Sequence, residues 1–295
     1  MISTNLGPTP SQCIPVGVEI DVNALPEKSL WPAKLLEDSK TVFQKTKREI
    51  IREFNDEKWG DLLTKLSELV SPDHDALKQL MFSESEECVY SFDGRLFVST
   101  PRLIDQLYKR LVARELAETA AAARVIIEIG SGTGNLIIHL ARQSSTGDLY
   151  KAFELTASGR EITRIVASQE RLNIETQFLD FDQPALTAQE FNGAIIFSSF
   201  AVVYCKQPEN LLRAILREKP SEIILIEPIF QFFDSETLTG LLAKKYFKVN
   251  DYCDQLYPAI QSLESQGFVK CVAVNKNVFG HNPLCPVSLM RLRPV

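Results

Sequence analysis

A chain of 295 residues, 45% hydrophobic and 24% charged, holds enough apolar material for a sizeable core in one large domain or two modest ones. Its net charge of −6 and isoelectric point near 5.3 exclude the basic field that nonspecific binding to nucleic acid or to an anionic membrane requires. No apolar run reaches the roughly 18 residues of a membrane span, no secretory signal is expected, and six scattered cysteines without a Cys-x-x-Cys pair read as reduced thiols of a cytoplasmic protein. Cys271, His281 and Cys285 lie near one another but lack a fourth ligand at zinc-like spacing, so no metal is expected.

Residues 1–30 carry Pro8, Pro10, Pro15 and Pro26 among Ser, Thr and Asn, the composition of an extended arm. From Pro32, apolar residues recur at three- and four-residue steps through Leu35, Leu36, Val42, Phe43, Ile50, Ile51 and Phe54, predicting helix. A second helix is predicted over Asp61 to Val70 and a third over Asp75 to Phe82, with Trp31 and Trp59 anchoring their packing. No recognisable chemistry falls between residues 31 and 85. The Asp93-Gly94 pair between alternating apolar residues signals a hairpin whose Tyr90 and Arg95 either close over a ligand or stay exposed. Ser99-Thr100-Pro101 opens a long helix to about Glu118, and the alanine run 120–123 leads onward.

Beyond residue 125 the pattern alternates. Strands are predicted near 125–129, 149–153, 174–179, 193–198 and 222–227, with helices near 134–143, 158–171 and 207–217, as in a parallel, doubly wound sheet. Two closing strands, 267–274 and 286–292, follow one another without a helix between them and predict an antiparallel edge hairpin.

The first of these strands runs into Gly130-x-Gly132-x-Gly134. The dinucleotide fingerprint would want its third glycine at Asn135 instead. Glu128, two residues before the glycines, would repel a pyrophosphate and suits a cationic or ammonium-bearing ligand. Glu154 ends the second strand, where an acid can accept both ribose hydroxyls, and Asp180 ends the third with Phe181 beside it to face a purine.

Glu-x-Gly-x-Gly-x-Gly with these two later acids resembles the class I S-adenosylmethionine-dependent methyltransferase superfamily, over about residues 102–295. The resemblance implies a doubly wound, mostly parallel seven-stranded Rossmann-like sheet with a closing antiparallel hairpin. It divides the chain into an arm and mainly helical cap or dimerisation region (1–100) and a methyltransferase domain (101–295). It also implies contacts from Gly130, Ser131, Gly132 and Gly134 to the methionine part of the cofactor, with Glu128 near its ammonium group. Glu154 would take the ribose, Asp180 and Phe181 the adenine, and Ser198 within the 197–200 stretch would line the methyl donor. The Asn/Asp-Pro-Pro-Tyr/Phe signature of methyltransferases acting on DNA bases or glutamine is missing, and so is a magnesium-binding acid cluster. Metal-independent transfer to a small-molecule acceptor (a sugar, amino-acid or natural-product intermediate) is therefore expected, with a homodimer through the N-terminal helices. A protein methyltransferase and a noncatalytic module of the same fold are the alternatives, and Asn135 argues against a nicotinamide oxidoreductase.

A hydroxyl acceptor needs a general base. His74 is expected to be exposed, and His139 to be a surface or packing residue. His281, in the loop between the closing strands, is read as a catalytic or a turn residue. Tyr204 falls on the acceptor side. Glu227, ending the fifth strand, is either a base or a loop cap. Tyr246, Asn250, Asp251, Tyr252 and Tyr257 form an insert expected to contribute to the acceptor pocket.

Overall fold

The computed structural model describes residues 13–36, 45–120, 124–144, 148–186 and 190–295. The arm up to residue 12, the predicted helical positions Val42 and Phe43, and residues 121–123 of the alanine run lie outside them. The described strands are β1 (Val18–Ile20), β2 (Cys88–Phe92), β3 (Arg95–Ser99), β4 (Val125–Ile129), β5 (Leu149–Glu154), β6 (Ile174–Phe178), β7 (Ile195–Ser199), β8 (Glu222–Glu227), β9 (Val269–Gly280) and β10 (Val287–Pro294). They form a single mixed sheet in the order β1-β3-β2-β9-β10-β8-β7-β4-β5-β6.

The strands from β4 to β8 are parallel, with β5 and β6 on one side of β4 and β7 and β8 on the other. The chain thus reverses its direction of winding at β4, and a crevice opens there above the carboxyl ends of the strands. Every residue of β8 is buried, as a strand covered on both faces must be. Alternate residues separate onto two layers. Ile126, Phe197 and Ile224 pack beneath α6 (Pro101–Ala120) and α7 (Asn135–Gln143). Ile127, Ile196 and Ile223 pack against α9 (Pro208–Arg217) and α11 (Leu256–Ser265). The fifth wall helix, α8 (Ala157–Gln169), joins β5 to β6, and α10 (Leu238–Val249) precedes α11.

The sheet has more strands than the expected seven. The seven are present as β4 to β10, with β10 lying antiparallel between β8 and β9. However, β9 runs on to Gly280 rather than ending near 274, and its far end pairs with β2 through Ser91↔Gly280 and Phe92↔Phe279. The hairpin β2–β3 therefore extends the sheet, and β1 pairs onto β3, so part of the expected unstructured arm is strand. Tyr90 is fully buried, its hydroxyl donating to the Val16 carbonyl at 2.7 Å, while Arg95 pairs with Glu19 at the surface.

The helical part of the N-terminal region comprises α1 (Leu25–Lys28), α2 (Trp31–Leu36), α3 (Lys47–Ile50), a π-helical stretch (Ile51–Lys58), α4 (Trp59–Ser67) and α5 (His74–Met81). Leu66 and Leu77 bury themselves against Ile138 on α7 and Ile162 and Val166 on α8. Trp31 instead packs edge-on against Tyr246 of α10, with ring centroids 4.6 Å apart. No helix among the described residues is long and apolar enough to cross a membrane.

Candidate active site

The β4–α7 loop turns through three glycines with positive φ, a conformation that costs a side-chain-bearing residue but not glycine. Space is equally restrictive. A Cβ at Gly130 would lie 2.3 Å from that of Ala201, and one at Gly134 would lie 2.4 Å from Thr163 Oγ1. The loop can therefore approach a ligand closely while α7 starts directly behind it.

Two acids hold this turn from below. Glu154 Oε2 accepts from Gly132 N–H at 2.9 Å, and Oε1 accepts from the Thr156 N–H and hydroxyl at 2.8 and 2.9 Å. Glu128 Oε2 accepts from Ile137 N–H, in the first turn of α7, at 3.2 Å. Burial raises the Glu154 pKa against those hydrogen bonds. Burial, with the neighbouring Glu154 charge, pushes Glu128 well above the usual carboxylate range. A cation beside them would relieve both.

Glu128, Gly130, Ser131, Gly132, Glu154, Asp180 and Phe181 all line one cavity of about 720 Å³, together with Tyr204 and His281. Gly134 does not reach the wall and serves as the N-cap of α7. Another expectation fails, and Glu227 takes the cap of its two readings. Ser198 is fully buried and does not line the cavity; its neighbour Ser199 does, because successive strand residues point to opposite faces. Glu227 is also fully buried and away from the wall. Its carboxylate accepts from the N–H groups of Ala201, Val202 and Val203 at 3.0–3.3 Å and caps the turn after β7. A base so fully engaged with backbone donors is a cap, not an acceptor-side catalyst.

His281 turns its imidazole into the cavity, stacked edge-on against Tyr108 at 4.8 Å and Phe279 at 5.0 Å. The residue keeps an exposed surface, yet the protein atoms packed around its ring desolvate it and lower its pKa to about 4, so the ring is neutral at neutral pH. Tyr204 faces the cavity with Tyr252 behind it at 5.4 Å and Phe54 at 5.7 Å, and burial raises its hydroxyl pKa. The insert residues Tyr246, Asn250, Asp251, Tyr252 and Tyr257 do not line the cavity; Tyr252 buttresses Tyr204 from behind, and Tyr246 packs in turn on Tyr252.

The cavity also gathers residues the sequence reading passed over. Lys47, Phe54, Lys58, Trp59, Met81 and Phe82 form its roof, so the stretch read as free of chemistry faces the site. On α6, Tyr108 shares a 2.5 Å hydrogen bond with Ser199. Lys109 meets Asp105 at 2.7 Å and donates to Asn135 Oδ1 at 2.6 Å, while Asn135 Nδ2 donates to Asp105 at 3.0 Å. Burial lowers the Lys109 pKa despite the facing Asp105 carboxylate. His74, expected at the surface, is completely buried behind this group, its Nε2 2.9 Å from Asn135 Oδ1. One signal was available: Asp105 and Lys109 fall on the helical stripe shared by Tyr108, Val112 and Leu116.

No protein-family model matches this chain, and no curated protein matches it in sequence. Solved structures do. The structure of the magnesium protoporphyrin IX methyltransferase from Synechocystis PCC 6803 with bound S-adenosylhomocysteine is similar with a TM-score of 0.54 at 10% identity, over 84% of this chain and 100% of that one. The chain shares the fold of that methyltransferase. The geranyl diphosphate C-methyltransferase from Streptomyces coelicolor A3(2) is similar with a TM-score of 0.48 at 11% identity, over 66% of this chain and 84% of that one. A SAM-dependent methyltransferase from Aquifex aeolicus has a TM-score of 0.44 at 11% identity, over 61% and 89% respectively.

Proposed function

We propose that the chain is an S-adenosylmethionine-dependent methyltransferase that acts on a small-molecule acceptor without a metal ion. One observation carries the reading: Glu128, the glycine turn, Glu154 and the Asp180–Phe181 pair converge on a single cavity. The residues present fit that cofactor. The Ser131 hydroxyl is buried at the wall without a hydrogen-bond partner, a polar atom awaiting a ligand group. Glu128 and Glu154 carry the raised pKa values that a sulfonium and an ammonium group would offset.

In this reading Glu128 orients the methionine ammonium, Ser131 meets its carboxylate, Glu154 keeps free lone pairs for the ribose hydroxyls, and Asp180 with Phe181 holds the adenine. The cofactor supplies an electrophilic methyl group. The protein aligns the acceptor beneath the roof, excludes water, and offers the neutral His281 imidazole for the acceptor's proton. Tyr108, Phe200 and Tyr204 wall the acceptor side with rings, which suits an acceptor with an apolar body. The roof supports a small acceptor over a folded protein. Among the described residues no three His, Cys, Asp or Glu side chains come together as metal ligands.

Isothermal titration tests the cofactor reading: S-adenosylmethionine and S-adenosylhomocysteine should bind saturably, and the absence of binding at high micromolar ligand would overturn it. Glu154→Gln should weaken binding ten- to a hundred-fold, the worth of about 1.5–3 kcal/mol for charged hydrogen bonds. Labelled methyl groups should appear in the small-molecule fraction of an extract. Label confined to precipitated protein would favour the protein methyltransferase.

A further inference from the structure

The roof is fastened to both lips of the cavity. Lys47, at the start of α3, pairs its ammonium with Asp180 Oδ2. Farther along, Ser158 on α8 donates its N–H to Asn55 Oδ1 at 3.1 Å and its hydroxyl to the Asn55 carbonyl at 2.9 Å. The Trp59 ring lies against Gly132, 3.1 Å from where a Cβ would stand. On the opposite lip, Lys45 N–H donates to Asp251 Oδ2 at 3.0 Å, and the Lys45 ammonium lies 5.9 Å over the Tyr204 ring. Residues 45–59 thus bridge the mouth.

The Lys47 attachment differs from the others because of what it holds. Asp180 is only 6% exposed; its Oδ1 accepts from Asp182 N–H at 3.0 Å, and Lys47 fills the side that faces the cavity. A lysine ammonium has donors only, and the exocyclic amine of an adenine also presents donors, so both bring the same demand to one buried carboxylate. The Lys47 side chain is 44% exposed, so its ammonium can exchange this partner for water as the long lysine stem reorients.

We infer that Lys47 is a latch that competes with the cofactor's adenine for Asp180, coupling cofactor exchange to loosening of residues 45–59. The inference rests on the reading of Asp180 as the adenine-binding acid. A latch of this kind reduces apparent affinity by the fraction of molecules in which it is shut, and slows association.

The test uses the full chain with S-adenosylhomocysteine as probe. Trp31 and Trp59 are its two tryptophans, so Trp31→Phe leaves Trp59, at the glycine turn, as the reporter. In that background Lys47→Met should bind the probe about two- to five-fold more tightly, with faster association in stopped flow, and Lys47→Arg should behave as the parent does. Equal or weaker binding by Lys47→Met would overturn the latch and make Lys47 a cofactor contact or a bystander. Failure of the parent protein to bind at all would instead remove the cofactor reading itself.

Discussion

His74 has no exposed surface and sits between Asn135 and Arg142, whose guanidinium lies 3.3 Å from its Nδ1. Burial, reinforced by the positive charge of Lys109, holds its pKa at about 3 against an ordinary 6.5. Because the folded-state value is depressed, the unfolded chain binds the extra proton between those limits. The stability His74 contributes is therefore complete above pH 6.5 and is lost as pH falls towards 3, on the order of 5 kcal/mol across the full window. Denaturant titrations of the wild type and of His74→Gln should diverge in slope between pH 6.5 and 4, the variant being the less acid-sensitive. Parallel curves would show that the imidazole does not stay neutral in the fold. This histidine also marks where sequence reading fails at the level of single residues. Glu128, Glu154 and Asp180 were legible because strand ends before glycines or helices have few structural options. His74, Lys109 and Asp105 look like solvated helix positions until α5 and α6 meet around Asn135.

At the scale of elements, the alternation of strand and helix from residue 125 to 227 was readable almost to the residue, since buried parallel strands and amphipathic helices leave different apolar periods, whereas α10 and α11 were read only as an aromatic and polar insert. Elements whose position depends on distant pairing were not. The extension of β9 to Gly280 is decided by its contact with β2, and it carries His281 from a nondescript loop to the cavity wall. The π-helical stretch 51–58 was likewise invisible, yet it places Phe54 and Lys58 over the site. The β9–β10 turn yields a direct prediction. His281→Gln should lower kcat by roughly 10²-fold, the scale of a lost proton acceptor, while S-adenosylhomocysteine affinity stays unchanged because no cofactor contact is assigned to it. A matched loss of affinity would move His281 from the acceptor to the cofactor.

For the whole molecule, the question is whether the first hundred residues form a separate cap or part of one cooperative body. The resemblance implied the former, with a boundary near residue 100. The packing argues for the latter, and Phe279 is one point of contact. It is fully buried on β9, with ring centroids 5.7 Å from Tyr90 and 6.4 Å from Phe92 of the hairpin, and 5.0 Å from both Tyr108 and His281 of the site. Removing its ring should cost about 3–5 kcal/mol, as for other buried aromatics. At about 2–4 °C per kcal/mol in a large domain, Tm should fall by roughly 6–20 °C. If hairpin and catalytic sheet unfold together, calorimetry of Phe279→Ala will give one transition displaced as a whole, and acceptor-side activity will decline at the same temperature as secondary structure. Two transitions, with only the lower one displaced, would restore the boundary at residue 100 and make the cap an independent unit laid across the cavity. In a single cooperative body the latch at Lys47 is a local opening, whereas in two units it is a domain motion.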